Sequence, residues 1–243
     1  MYPLLVIPTY NEADNLAPLV EEILRRVPRL RVLIADDSSP DGTGEIADRL
    51  AAQHPQRVRV LHRTAKDGMA RAYLEAFALA LRDPEVDRIS QMDADFSHRP
   101  IDLSDLVRRS EEPGADVVLG SRYVRGGGTL NWSAFRRAIS RLANVYARTI
   151  LGVSVRDLTG GFKVYRREVL EGIPLGDIRT RGYVFQIEMT YRALLLGHRV
   201  VEVPIVFEER RAGKSKFTSG IVFEALFKVL WLRRLRRTNK PAR

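Results

Sequence analysis

Apolar residues fall along the first half of the chain in short buried runs that alternate with longer runs at helical spacing. Leu4 to Thr9 reads as a buried strand closed by Pro8-Thr9-Tyr10-Asn11. Leu16, Leu19, Val20, Ile23, Leu24 and Val27 then recur three and four apart, which predicts an amphipathic helix. Asn11 or Thr9 is placed to cap it, and Pro18 is compatible with it only near the first turn. Arg31 to Ala35 is a second strand ending at Asp36-Asp37, and Ser38 to Gly44 is a loop leading to a helix with Ile46, Ala47 and Leu50. Val58 to Leu61, Val86 to Met92 and Asp116 to Gly120 are further strands, separated by a helix over Ala70 to Leu81 and a short one marked by Leu103, Leu106 and Val107. The order βαβαβαβαβ predicts an α/β fold: a doubly wound, mainly parallel sheet with helices on both faces. Ligands of such sheets bind beyond the carboxyl ends of the strands, where Tyr10, Asp37 and Asp93 stand.

The second half changes character. Gly126-Gly127-Gly128 predicts a flexible loop, and Ser133 to Leu151 a long helix carrying Arg136, Arg137, Arg141 and Arg148. Thr159 to Tyr165 reads as a short strand and Phe185 to Leu196 as an amphipathic helix. Arg199 to Phe207 reads as a strand that Pro204 places near an edge. The apolar run Ile221 to Leu232 rises about 18 Å as a helix, against a hydrocarbon core of about 30 Å, so it does not span a bilayer. Glu224 and Lys228 give it one polar stripe, and Arg233-Arg234-Leu235-Arg236-Arg237 follows. Residues 1–217 are therefore expected to form the main domain, and 218–243 an amphipathic, basic helix and tail lying on an anionic membrane surface, with Trp231 at headgroup depth.

Composition bounds this picture. The 243 residues are 45% hydrophobic and 29% charged, ordinary for a soluble globular protein, and contain no cysteine, which excludes disulfides and thiolate metal sites. The net charge of +10 is uneven, because residues 208–243 hold eleven Lys and Arg against three Glu. Such asymmetry points to a local anionic partner, a membrane surface or nucleic acid. The first strand begins without a basic n-region, so a cytoplasmic location is expected, peripheral on the cytoplasmic face of a membrane.

Candidate chemistry centres on Gln91-Met92-Asp93-Ala94-Asp95-Phe96-Ser97-His98. Residues i and i+2 of a strand share a face, so Asp93 and Asp95 present two carboxylates together where the strand ends. That arrangement suits a divalent metal and a phosphate-bearing substrate, or a polar turn. The first strand lacks the Gly-x-Gly-x-x-Gly dinucleotide fingerprint, and Gly213-Lys214-Ser215 lacks the upstream glycine of a Walker loop. A non-catalytic nucleic-acid-binding domain would account for the basic tail but would leave Asp37, Asp93 and Asp95 as negative charge beside the binding face.

Val6-Ile7-Pro8-Thr9-Tyr10-Asn11-Glu12, Asp36-Asp37-Ser38-Ser39-Pro40-Asp41-Gly42-Thr43 and Asp93-Ala94-Asp95 together resemble the family 2 glycosyltransferases of the GT-A fold. Gly120-Ser121-Arg122-Tyr123, Asp157-Leu158-Thr159-Gly160-Gly161-Phe162-Lys163 and Arg210-x-x-Gly213-x-Ser215-Lys216 resemble, more narrowly, dolichol- or polyprenol-phosphate mannose synthases of the peripheral type. The resemblance covers residues 2–217 in unbroken order. It implies inverting transfer of mannose from GDP-mannose to a polyprenyl (dolichyl) phosphate, with Mg²⁺ or Mn²⁺ as cofactor. Transfer of another sugar, such as glucose from UDP-glucose, is the alternative within the family.

By the same resemblance, Pro8, Tyr10, Glu12, Ala35 and Asp37 hold the nucleoside, Ala35 through its backbone. Asp93, Ala94 and Asp95 carry the diphosphate end, with Asp95 the leading metal ligand and Asp93 a second. Some relatives have a Gln where Ser97 stands, so a weaker contact is expected there. Arg122, Arg136 and Ser140 hold the acceptor phosphate, and Arg210 and Lys216 close over the donor diphosphate. A lipid phosphate is already an anionic nucleophile, so positioning and charge screening replace a general base. Lys66 to Ala70 departs from the family's Gly-Leu-Gly run and carries no role here, and His98 is read as a turn residue.

Overall fold

Both faces of the first strand are buried, and the other elements are laid out around it. The computed structural model describes residues 1–64, 66–209 and 219–235. In chain order the elements are β1 (Tyr2–Thr9), α1 (Ala13–Arg26), β2 (Arg31–Asp36), α2 (Thr43–Gln53), β3 (Val58–His62), α3 (Met69–Ala80), β4 (Val86–Gln91), α4 (Pro100–Glu111) and β5 (Val117–Ser121). Then follow β6 (Gly128–Thr129), α5 (Ala134–Leu151), β7 (Lys163–Arg166), α6 (Arg167–Gly172), α7 (Gly182–Leu195), β8 (Val200–Pro204), β9 (Val206–Phe207) and α8 (Ser219–Leu232).

One sheet has the strand order β3-β2-β1-β4-β7-β5-β8, and β6 pairs with β9 beside it. The pairs β1–β2, β1–β4, β2–β3 and β5–β8 are parallel, whereas β7 runs antiparallel to both β4 and β5. The expected strand over Thr159 to Tyr165 is shorter and later than its sequence suggests. Residues 159–162 cross the ligand end of the sheet without pairing as a strand, and β7 enters from that end. Pro204 does lie on the edge strand β8.

Leu5 and Ile7 of β1 face a layer with Leu16, Leu19 and Ile23 of α1, Leu50 of α2 and Leu103 of α4. Leu4 and Val6 face the opposite layer, with Tyr73 and Phe77 of α3 and Phe185 of α7. This alternation explains why β1 reads as an unbroken apolar run. A third cluster joins Leu151 of α5, Tyr191 of α7 and Val229 and Leu232 of α8. Each large side chain so buried contributes about 1.5–3 kcal/mol. The C-terminal helix is thus docked on the domain by one face, with the Tyr146 hydroxyl donating to the Leu226 carbonyl at 3.0 Å. Among the described residues no helix is long and apolar enough to cross a membrane.

Three local expectations are corrected. Neither Thr9 nor Asn11 caps α1: Asp41 accepts from the Ala13 N–H at 3.2 Å and Thr43 from the Glu12 N–H at 2.9 Å, so the β2–α2 loop does the capping. Pro18 lies in the second turn of α1, not the first. The triple glycine is partly strand, since Gly128 pairs with Val206, and a Cβ on Gly127 would fall 2.4 Å from the Ser121 carbonyl. Glycine is required there by close packing.

Candidate active site

Strands β1, β2 and β4 finish side by side, with β1 between the other two, at the switch point where open α/β sheets take ligands. Each end is followed by a non-glycine residue in the left-handed region: Asn11 (φ 59°), Ser38 (φ 52°) and Phe96 (φ 59°). For a bulky residue such as Phe96 this costs about 1–2 kcal/mol. Strain of this kind persists where the surroundings over-determine it. Here Asp95 accepts from the Ser97 N–H at 3.0 Å, the Asp93 N–H donates to His98 Nδ1 at 3.3 Å, and the Glu208 N–H donates to the Ser97 carbonyl at 3.1 Å.

On the β1–β2 side, Thr9 Oγ1 donates to Asp36 at 2.9 Å and the Asp37 N–H donates to the Thr9 carbonyl at 3.0 Å. Asp37 is buried against Arg63, whose guanidinium also reaches Asp67 and Glu75. Burial pushes the Asp37 carboxyl up, and the bond to Arg63 opposes this. Lys66 Nζ sits 3.2 Å from the Tyr10 ring centroid. Arg63, Lys66 and Asp67 therefore join Tyr10 and Asp37, although no local pattern marks them. Glu12 holds Asn15 Nδ2 at 2.9 Å at the start of α1. Pro8 pairs in register with Ala35, and the side chains of Ala35 and Ala94 are in opposite core layers, so neither projects into the site.

A cleft open at its mouth runs from Asp93, Ser97 and His98 to Arg122, Trp132 and Arg136. Arg122 is buried and donates from Nε and Nη2 to Asp157 at 2.8 and 2.7 Å, and from Nη2 to Thr159 at 2.8 Å. Burial alone would lower its pKa, but Asp157 outweighs this and holds the guanidinium above its ordinary value. Arg136 stacks over Trp132, 4.1 Å from the ring centroid, and donates to Glu209 at 2.7 Å. Ser140 accepts from the Tyr123 hydroxyl at 2.6 Å. His98 is more than a turn residue: it is buried between Phe162 and Phe207, at centroid distances of 4.8 and 5.1 Å. Burial lowers its pKa to about 4, so it stays neutral and accepts from the Asp93 N–H.

Asp93 lines the cleft with its side chain 29% exposed, whereas Asp95 is 4% exposed. Ser97 Oγ is buried with no hydrogen-bond partner among the described residues, on the same cleft wall. Asp93 and the orphaned Ser97 hydroxyl are on this wall, while Asp95 is buried and does not line the cleft; oxygen donors of this kind suit Mg²⁺ or Mn²⁺. Among the described residues no group of three His, Asp or Glu side chains gathers round a metal position, so substrate phosphates and water would complete such a shell. The structure brings Asp93, Arg122 and Arg136 to one cleft and leaves Asp37 in the neighbouring ion-pair cluster. Arg210 and Lys216 lie outside the described residues.

The sequence profile of glycosyl transferase family 2 matches residues 4–173. The chain belongs to this family. It is 48% identical over 226 residues to polyprenol monophosphomannose synthase of Mycolicibacterium smegmatis, covering 93% of this chain and 84% of that protein. It is 45% identical over 229 residues to undecaprenyl-phosphate mannosyltransferase of Micrococcus luteus, covering 94% and 93%. Among solved structures, the fold is similar to that of the mannosyltransferase PcManGT from Pyrobaculum calidifontis in complex with GDP-Man and Mn²⁺. That match has a TM-score of 0.61 and 20% identity, and spans 100% of this chain and 66% of the other. Glucosyl-3-phosphoglycerate synthase from Mycobacterium tuberculosis, solved with Mn²⁺ and UDP, gives a TM-score of 0.64 at 17% identity, over 99% and 81%. The mixed sheet of this glycosyltransferase is thus the GT-A fold that its motifs predict.

Proposed function

We propose that this glycosyltransferase moves mannose from GDP-mannose to the phosphate of a polyprenyl phosphate, with inversion at the anomeric carbon. The observation that carries this reading is the cleft itself, which joins the carboxylate end at Asp93 to two arginines, Arg122 and Arg136. Asp93 is the one carboxylate on its wall among the described residues, and Asp157 behind it is committed to Arg122. An acceptor hydroxyl would require a base beside the anomeric carbon, whereas an anionic phosphate oxygen attacks unaided once held. That oxygen forms the new bond to the sugar carbon, and GDP leaves with the electron pair of the old one. The names of the two similar synthases support the same acceptor and sugar.

Asp93 and Asp95, with Ser97 beside them, would hold Mg²⁺ or Mn²⁺, which when bound neutralises charge on the departing diphosphate. Arg122 screens the acceptor phosphate from a fixed position, because Asp157 sets its plane, and Arg136 presents a second guanidinium steadied by Trp132. Tyr10, Glu12 and Asp37 bound the nucleoside end. The chain works on the cytoplasmic face of a membrane, held by its C-terminal helix, whose outward side carries Phe227, Leu230 and Trp231.

The test supplies GDP-mannose, GDP-glucose and UDP-glucose in turn with a polyprenyl phosphate and Mg²⁺ or Mn²⁺, and follows lipid-linked sugar. Metal-dependent mannolipid from GDP-mannose alone is expected. Glucolipid in its place, or full activity without metal, would sink the reading.

A further inference from the structure

Beneath the cleft lies a polar network that none of the roles above uses. Lys163 is fully buried and donates from Nζ to the backbone carbonyl and to Oε1 of Gln186, both at 2.9 Å. Gln91 Nε2 donates to the same Oε1 at 2.6 Å and to the Gly161 carbonyl at 2.7 Å, and the Tyr165 hydroxyl donates to Gln91 Oε1 at 3.2 Å. The Gln91 amide nitrogen, pinned by the Gly161 carbonyl, is a donor only, and Lys163 donates to the same oxygen, so the Gln186 oxygen is forced to face them. The Gln186 nitrogen must then face the other way. It is buried, has no hydrogen-bond partner among the described residues, and belongs to a side chain on the cleft wall. Native structures rarely leave such a donor unpaired.

Gly161 keeps the neighbouring space open. A Cβ there would lie 3.5 Å from Gln186 Nε2 and 3.9 Å from His98 Cε1, ordinary contact distances that would narrow the cleft without straining it. Charged donors suited to phosphate already stand in the same cleft at Arg122 and Arg136. A neutral amide matches a hydroxyl instead. In the reaction proposed above, the sugar lies between the diphosphate it leaves and the phosphate it joins, and the cleft spans both.

We infer that the Gln186 amide donates a hydrogen bond to one hydroxyl of the transferred sugar, with Lys163 and Gln91 fixing the amide in the orientation this requires. The inference rests on the glycosyl-transfer reading and makes Gln186 a specificity-determining residue. A site built to bond a hydroxyl rejects a donor that lacks it, because its buried polar group is then left unpaired.

Calorimetric titration of the full chain with GDP-mannose and with GDP, each with Mn²⁺, tests this. Gln186→Met removes the donor at similar length and offers no strong acceptor that a sugar hydroxyl could use instead, and Gly161→Ala fills the space beside it; thermal melts verify that both fold. Each variant is expected to lose roughly tenfold in affinity for GDP-mannose while its affinity for GDP stays within about twofold. Single-deoxy analogues of GDP-mannose add a second readout: wild type should discriminate against one of them, and Gln186→Met should not. Equal losses for GDP and GDP-mannose, or no loss for either, would overturn the assignment by making the network structural. A wild-type chain that binds no GDP-mannose overturns the donor reading instead, and Gln186 is then judged by the same criterion with UDP-glucose against UDP.

Discussion

Arg122 and Asp157 form two parallel hydrogen bonds, at 2.8 and 2.7 Å, and Asp157 also accepts the backbone N–H of Arg122 at 2.9 Å. Both side chains are buried, so this pair is a fixed part of the cleft wall. Removing one partner of a buried pair strands the other charge, which costs about 3–5 kcal/mol. Asp157→Ala should therefore lower stability by that amount in urea denaturation. Arg122→Lys keeps the charge and loses the fork geometry, so it should reduce mannosyl transfer more than it reduces stability. An Asp157→Ala protein as stable as wild type would show that the pair does not hold this wall.

Asp93 and Asp95 differ in exposure, and their variants should differ accordingly. Asp93→Ala is expected to abolish Mn²⁺-dependent donor binding while stability stays within about 1 kcal/mol of wild type. Asp95→Ala should lose donor binding and stability together, by about 1–3 kcal/mol, because its buried carboxylate holds the Ser97 N–H across the strained turn at Phe96. Mn²⁺ titration by electron paramagnetic resonance, paired with denaturation, separates the two. Full Mn²⁺ binding in both variants would remove these carboxylates from the metal site.

The strands of the first half are legible because a strand buried on both faces is an apolar run bounded by turn residues, as Leu4 to Thr9 is. Direction leaves no such mark: the four residues of β7 read alike parallel or antiparallel, and only the path over Gly160 and Gly161 sets their sense. Asp93 and Arg122 are legible through their motifs and Arg136 through the family resemblance alone, and the three share a cleft. Arg63 is not, because its burial depends on Asp37, Asp67 and Glu75, carboxylates from three separate places in the chain. Gln186 is hidden for a similar reason. It stands among apolar neighbours on a helix, and only Gln91 and the lysine beneath it show which way its amide must turn.

Lys163 ties that network to pH. Burial pushes its ammonium down to about 7 from 10.5, against the pull of Asp157. Tyr165 also faces the network, and burial raises its pKa, so it stays neutral through the relevant range. Between about 7 and 10.4 the unfolded chain keeps a proton that the folded chain has released. The unfolded state then binds more protons, so this group makes stability rise with pH, by at most about 1.4 kcal/mol per unit. Lys163→Met should flatten the stability curve between pH 7 and 9 in urea titrations. An unchanged slope would mean that Lys163 remains charged in the folded chain.

The C-terminal helix sets a sharper test of membrane contact than simple truncation. Val229 and Leu232 are buried against the cluster of Leu151, Val155 and Leu158, so deleting the helix would uncover core and confuse unfolding with detachment. Phe227, 72% exposed, and the exposed Leu230 and Trp231 lie three and four residues apart and share the opposite face. Arg233 and Arg234 follow, also exposed. The long helix α5 also exposes apolar side chains at Phe135, Leu142 and Val145. Replacing Phe227, Leu230 and Trp231 together by serine should leave the fold intact and cut co-sedimentation with anionic vesicles several-fold, roughly by the apolar area removed. Raising the salt should weaken what binding remains, because the arginines then carry it. Unchanged sedimentation of the triple variant would move the contact to α5, where the corresponding replacement of Phe135, Leu142 and Val145 then decides it.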